Sequence, residues 1–116
     1  SLINKLEKIF HPLVRNKMKK FLKKNISKKF VFFEIPLLIE SKLMKNFDVI
    51  IFIKAKKSVR LKRFLSKGGT KKIFQILNKK QLKDKKKIKF CDHVVVNEKN
   101  IKFLKEKLLD ILKHYE

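Results

Sequence analysis

The side chains able to do chemistry in this 116-residue chain are mostly cations: 33 Lys and Arg stand against 10 Asp and Glu, a formal charge of +23. Such a field draws in nucleic acid, nucleotides and anionic surfaces alike, through steering and counterion release. The excess is 30 Lys to 3 Arg. Specific base recognition favours arginine forks and exposed aromatics, so a specific nucleic-acid partner is not expected. Other chemistries lack their residues. The only glycines are Gly68 and Gly69, which leaves no Walker-type loop and no G-x-G-x-x-G. No Ser/His/Asp spacing suggests a nucleophile, and three His with the single Cys91 make a poor zinc set. No metal site is assigned.

The elements that must position these cations follow from the apolar pattern. Leu2, Leu6, Ile9 and Phe10 have helical spacing, which His11-Pro12 is expected to end. Pro12 then suits the first position of a second helix with Leu13, Val14, Met18, Phe21 and Leu22 on its apolar face. Phe30 to Ile35 is aromatic and β-branched and reads as a buried strand stopped by Pro36, followed by a loop or short helix from Leu37 to Lys45. Phe47 to Ile53 repeats the strand signature. Ser58 is expected to cap a helix carrying Val59, Leu61, Phe64 and Leu65, and Gly68-Gly69 forms the one flexible joint. Two short helices split near Gln81 fill Thr70 to Lys89. Asp92 to Asn97 is a third strand, and Asn100 caps a last helix striped by Ile101, Leu104, Leu108, Ile111 and Leu112.

Near-continuous apolar strands alternating with helices predict an α/β fold with a parallel sheet, whose ligands bind beyond the strand C-termini. That edge comprises 35–40, 54–58 and 97–100. With 44% apolar residues and 11 Phe the chain can build one core but not two, and general disorder is excluded. No apolar run approaches the ~20 residues a membrane span needs. No signal peptide opens the chain, and a lone cysteine fits a reducing cytoplasm. Three strands without a phosphate loop look like part of a larger domain, with further chain expected before Ser1.

The motifs Leu6-Glu7-Lys8-Ile9-Phe10-His11-Pro12-Leu13-Val14-Arg15, Phe33-Glu34-Ile35-Pro36-Leu37-Leu38-Ile39-Glu40 and Leu61-Lys62-Arg63, then Gln81, Asp92 and Asn97, occur in order. This series resembles the dephospho-CoA kinase family, whose pattern runs L-E-x-I-x-H-P-x-V-R, [DE]-x-P-L-L-x-E, [LQ]-x-R, a lid and A-D-x-x-x-x-N. The resemblance extends from Leu6 to about Asn97. It implies the C-terminal part of a single P-loop kinase domain: an incomplete three-stranded parallel sheet flanked by helices, with a helical lid. Substrate-side helices would occupy 1–29, a strand-helix-strand-helix core 30–66, the lid 67–91, and the last strand and helix 92–116.

The implied activity is transfer of the ATP γ-phosphoryl group to the ribose 3′-hydroxyl of dephospho-CoA, with Mg²⁺ accompanying ATP. The phosphate loop and the acid handling the acceptor lie, in this family, N-terminal to everything here. No catalytic residue is therefore assigned, and no turnover is expected from these residues alone. On the substrate side the resemblance implies His11, Pro36, Leu37, Leu38 and Glu40. His11 would bond the acceptor or cap a helix, and Glu40 would hold a substrate group or Mg²⁺-bound water, or else form a salt bridge. On the ATP side it implies Arg63, whose planar guanidinium suits adenine or phosphate, with Lys87 of the lid and Asn97.

The chain departs from the pattern in having no Arg after Arg63, a lid that reads one residue shorter, Cys91-Asp92-His93 for A-D, and Val96-Asn97-Glu98-Lys99 for D-N-S-G. The alternatives are a small basic nucleic-acid-binding module and another nucleotide or nucleoside kinase of the same fold.

Overall fold

A computed structural model describes residues 2–35, 38–40 and 42–116, with residues 2–11 as backbone alone. The chain forms two compact units, Ser1–Ile35 and Pro36–Glu116.

In the first unit one helix, α1, runs Leu2–Lys24 with Pro12 inside it. The expected break at His11-Pro12 does not occur. Proline removes one helical hydrogen bond and crowds the preceding turn, at about 3 kcal/mol. Yet the row Leu6, Phe10, Val14, Met18, Leu22 keeps its four-residue step through Pro12, so both halves favour one continuous helix. Asn25 closes the C-terminal end, its Nδ2 donating to the Phe21 carbonyl at 2.8 Å. The run Phe30 to Ile35, expected as a buried strand, has no regular secondary structure and joins no ladder. Apolar, β-branched composition shows what a segment can bury, but a strand also needs a neighbouring edge to receive its hydrogen bonds. Phe33 instead meets Phe21 edge-on at 5.7 Å, and Phe32 is largely exposed.

The second unit has an α/β architecture. Among the described residues its sheet has two strands and not three: β1 (Ile51–Lys54) and β2 (His93–Val96), paired parallel with Ile51 opposite His93. Parallel strands need a long crossover. Here it contains α2 (Lys57–Ser66), α3 (Lys71–Lys80) and α4 (Asp84–Ile88), and α5 (Ile101–Lys113) follows β2. The core comprises Ile39, Leu43, Phe74 and Val95.

The offset of 42 residues that sets the ladder recurs beyond it. Glu40 accepts from the Leu82 N–H, Asp92 from the Ile50 N–H and Glu98 from the Lys56 N–H, each pair 42 apart. Asp92 and Glu98 thus brace the four-residue ladder just beyond its two ends, whereas Glu40 bonds Leu82 ahead of α4, away from the strands. Asp92 secures the start, where the Asp92 and His93 N–H groups both donate to the Ile50 carbonyl. Glu98 secures the end and supplies the cap of α2. That helix begins at Lys57, one residue before the expected Ser58 cap, and its N-cap Lys56 has no capping side chain. A carboxylate from a remote loop meets the positive helix terminus instead.

Gly68-Gly69 is a tight stop rather than a flexible joint. Gly68 has φ 93°, its N–H donates to the Leu65 carbonyl at 3.1 Å, and the Gly69 N–H donates to the Phe64 carbonyl at 3.0 Å. This is a Schellman closure, in which a left-handed glycine satisfies the last carbonyls of a helix. Gly69 also lies so close to Phe64 that a Cβ would enter the ring. The expected pair of helices split near Gln81 is present as α3 and α4, and Thr70 caps α3 by accepting from the Ile73 N–H.

Candidate functional site

Where β1 and β2 end, the chain turns into two helices, and the backbone groups left by the ladder have to find partners. The Asn97 N–H donates to the Lys54 carbonyl at 2.7 Å, extending the ladder by one rung. Its carbonyl accepts from Arg63 Nη1, also at 2.7 Å. Arg63 projects from α2, so one guanidinium nitrogen ties that helix to the loop after β2 while the remainder borders a cleft. Asn100, at the far end of the loop, caps α5 with Oδ1, which accepts the Phe103 N–H at 2.9 Å.

The cleft between α2 and the start of α5 measures about 720 Å³. Arg63, Lys67, Lys99 and Lys102 line it together with Asn97 and Ile101, and no Asp or Glu does. Ile101, expected to face the core, is 84% exposed. It offers the cleft an apolar surface beside four cations. Arginine side chain, apolar patch, exposed amide and helix N-terminus together suit a flat, partly apolar ligand carrying negative charge. Lys99 does not reach into open solvent alone: its Nζ lies 4.4 Å from the centroid of Phe103.

A second group of site candidates gathers elsewhere. The turn Leu38–Leu43 is closed by the Lys42 N–H to the Ile39 carbonyl and the Leu43 N–H to the Leu38 carbonyl, with Lys42 at φ 58°. It presents Glu40 to Lys87 of α4, Nζ to Oε2 3.1 Å, with each side chain only 11% exposed. The structure therefore pairs an expected acceptor-side acid with an expected ATP-side lysine, and neither lines the cleft. Arg63 and Asn97 come together; Glu40 and Lys87 come together; the two pairs are separate. Leu38 is half-buried in the same turn as Glu40. His11 belongs to α1, in the other unit, where only the backbone is described, and Pro36 and Leu37 lie outside the described residues.

Arg60 was missed by the sequence reading. Its Nε donates to the Ala55 carbonyl at 3.1 Å and its Nη1 to Asn78 Oδ1 at 2.8 Å, with the guanidinium 5.8 Å from the Phe74 centroid. It clamps the end of β1 to α3. The signal was present: Arg60 precedes Arg63 by three residues, which puts both on one face of a helix. Cys91 is half-buried at the foot of β2, and its Sγ donates to the Lys87 carbonyl at 3.2 Å. Burial, then the Asp92 charge, push its thiol above the ordinary value, and Lys87 pulls in the opposite direction.

Among the described residues no three His, Cys, Asp or Glu gather as a metal site, and no helix is long and apolar enough to cross a membrane. The acids nearest the candidate groups are already engaged, Glu40 with Lys87, Asp92 with Ile50 and Glu98 with Lys56.

Comparison with known proteins supplies what geometry does not. The family model for dephospho-CoA kinase matches residues 2–102. The chain is similar to the dephospho-CoA kinase of Bartonella henselae, 32% identical over 93% of this chain and 57% of the relative. It is similar also to that of Rickettsia conorii, 29% identical over 97% and 59%. The dephospho-CoA kinase of Zymomonas mobilis is 34% identical over 84% and 50%. The chain thus spans a little over half the length of the first two of these relatives.

Proposed function

Because the chain belongs to the dephospho-CoA kinase family, we propose that it supplies the C-terminal part, without the phosphate loop, of an ATP-dependent kinase that phosphorylates the ribose 3′-hydroxyl of dephospho-CoA. The observation that carries this reading is the Arg63–Asn97 contact at the C-terminal ends of two parallel strands, beside a cleft lined by cations and free of carboxylates. In parallel α/β sheets that edge is where ligands sit. Arg63 would lay its guanidinium against adenine or phosphate, with the Asn97 backbone fixing its orientation and Ile101 covering an apolar face of the base. Segment 67–91 would act as the lid, its lysines neutralising triphosphate charge and helping to exclude water. His11, Pro36, Leu37 and Leu38 are assigned to the acceptor by the family resemblance alone.

Magnesium would accompany ATP and neutralise the transferring phosphoryl group. The described residues do not fit a Mg²⁺ site of their own, since Glu40, Asp92 and Glu98 are held by protein donors. The 116 residues contain no glycine-rich phosphate loop, so in this reading the chain by itself binds nucleotide without turning it over.

Calorimetric titration with ATP tests the proposal. The chain should bind ATP in competition with ADP, and Arg63→Ala should weaken binding at least about tenfold, near the ~1.4 kcal/mol of one charge-assisted contact. Arg63→Lys should recover only part of that, because an ammonium lacks the planar fork. If arbitrary oligonucleotides bind tightly, lose affinity steeply with salt and are indifferent to Arg63, the charge of +23 is serving a nucleic-acid module instead.

A further inference from the structure

In a chain with about three basic groups for each acid, a carboxylate enclosed with one lysine is a specific arrangement. Glu40 Oε2 lies 3.1 Å from Lys87 Nζ and also accepts the Leu82 N–H at 3.1 Å. Lys87 Nζ donates in addition to Gln81 Oε1 at 3.3 Å and lies 5.4 Å from the centroid of Phe52 on β1. The ammonium thus has a carboxylate, an amide oxygen and an aromatic face around it, in a side chain 11% exposed. Both partners bear on one place. Gln81 and Leu82 form the turn between α3 and α4; the turn containing Glu40 meets it through the Leu82 N–H, and Lys87 reaches it from α4 through Gln81.

We propose that Glu40 and Lys87 are a positioning pair that fixes the Gln81–Leu82 turn against β1, so that the lysine-rich segment 67–91 is held in one place and neither member contacts ATP or its acceptor. The inference deepens the proposed function in its ATP arm only, because the pair itself is defined by protein contacts. An ammonium already neutralised in a low-dielectric site has little left to offer a phosphate, whereas removing it leaves a buried carboxylate without compensation and loosens the turn.

Amide hydrogen exchange on the full chain tests this at Leu82, with the Asn97 amide, bonded to the Lys54 carbonyl, as internal reference. Lys87→Met should speed Leu82 exchange at least tenfold relative to Asn97. The double variant Glu40→Gln, Lys87→Met, which removes both charges and keeps an acceptor for the Leu82 N–H, should return it to within about threefold of the parent. Unchanged Leu82 protection in Lys87→Met, or a double variant no better than the single, overturns the proposal. Should Lys87→Met not fold, Glu40→Gln and the double variant decide: the proposal requires the double to protect Leu82 at least as well as Glu40→Gln, which leaves the ammonium uncompensated, and the reverse order rejects it.

In the ATP titration, Lys87→Met should weaken binding at least fivefold and the double should restore it. A double variant as weak as the single makes Lys87 an ATP ligand and rejects a positioning role. If the parent chain binds no ATP, the functional reading fails while the Leu82 amide still decides the pair.

Discussion

Arg63 and Lys87 are both cations that meet a chain segment remote in sequence, but their surroundings differ. Arg63 gives one nitrogen to the Asn97 carbonyl and borders a cleft with three lysines and no acid. Lys87 is enclosed with Glu40, Gln81 and Phe52. With 33 basic and 10 acidic side chains, the rare acids decide which cations are internal counter-ions and which are left to face a ligand. Glu40, Asp92 and Glu98 all serve the framework: Asp92 and Glu98 brace the two ends of the strand pair, and Glu40 holds Leu82 and Lys87. The cleft has positive potential because no carboxylate is assigned to it.

The largest effect that would break this contrast is on stability. Lys87→Met leaves Glu40 buried and uncompensated and should cost about 3–5 kcal/mol in urea unfolding, whereas replacing both partners should be close to neutral. Arg63→Ala removes one charge-assisted bond from a half-buried, water-accessible carbonyl and should cost only about 1–2 kcal/mol. Equal losses from the two substitutions would abolish the distinction between a framework cation and a ligand-facing one. At the rim, Glu98 makes two contacts of unequal worth. Its 3.8 Å pair with Lys56 Nζ is exposed, the lysine side chain being 75% accessible, and contributes next to nothing. Its 3.0 Å bond from the Lys56 N–H caps α2. Glu98→Ala should therefore cost about 0.5–1 kcal/mol, as expected for a carboxylate at a helix N-terminus, and Lys56→Met should leave the midpoint unchanged.

Features written in local sequence were legible. Asn100 before an apolar stripe gave the α5 cap, the valine run gave β2, and the long crossover gave the parallel pairing. Asn97 falls on the expected strand-end edge, 97–100, whereas Arg63, well along α2, was assigned to the ATP side by the family resemblance alone. What local pattern could not show was partner choice across the fold. Ser58 looked like a cap, but Glu98, 42 residues after Lys56, supplies it. Phe30 to Ile35 looked like a strand, but its described neighbours include no edge to pair with. Pro12 looked like a stop, although the row from Leu6 to Leu22 passed through it in phase. Ile101 followed the stripe, yet as the first residue of α5 it is exposed, while Leu104 and Leu108 further along the stripe are half-buried. The Glu40–Lys87 pair could not be read from local pattern, because a turn and α4 separate the two residues from the paired strands and only the tertiary fold brings them together.

The smallest effect offers the most local reading of the Lys87 charge. The Cys91 thiol is raised by burial and by Asp92 and lowered by Lys87. Thiolate is the reacting species, so at pH 8 the parent chain should alkylate more slowly than an unfolded control. Losing the lysine charge removes the one lowering influence and moves the thiol further up, so the double variant Glu40→Gln, Lys87→Met, which is expected to be as stable as the parent, should alkylate more slowly again. Loosening of the fold would expose Cys91 and speed the reaction, so the sign separates a charge effect from unfolding. A faster rate in the stable double variant would show that Lys87 does not hold its charge beside Cys91, and the contrast with Arg63 would then rest on packing alone.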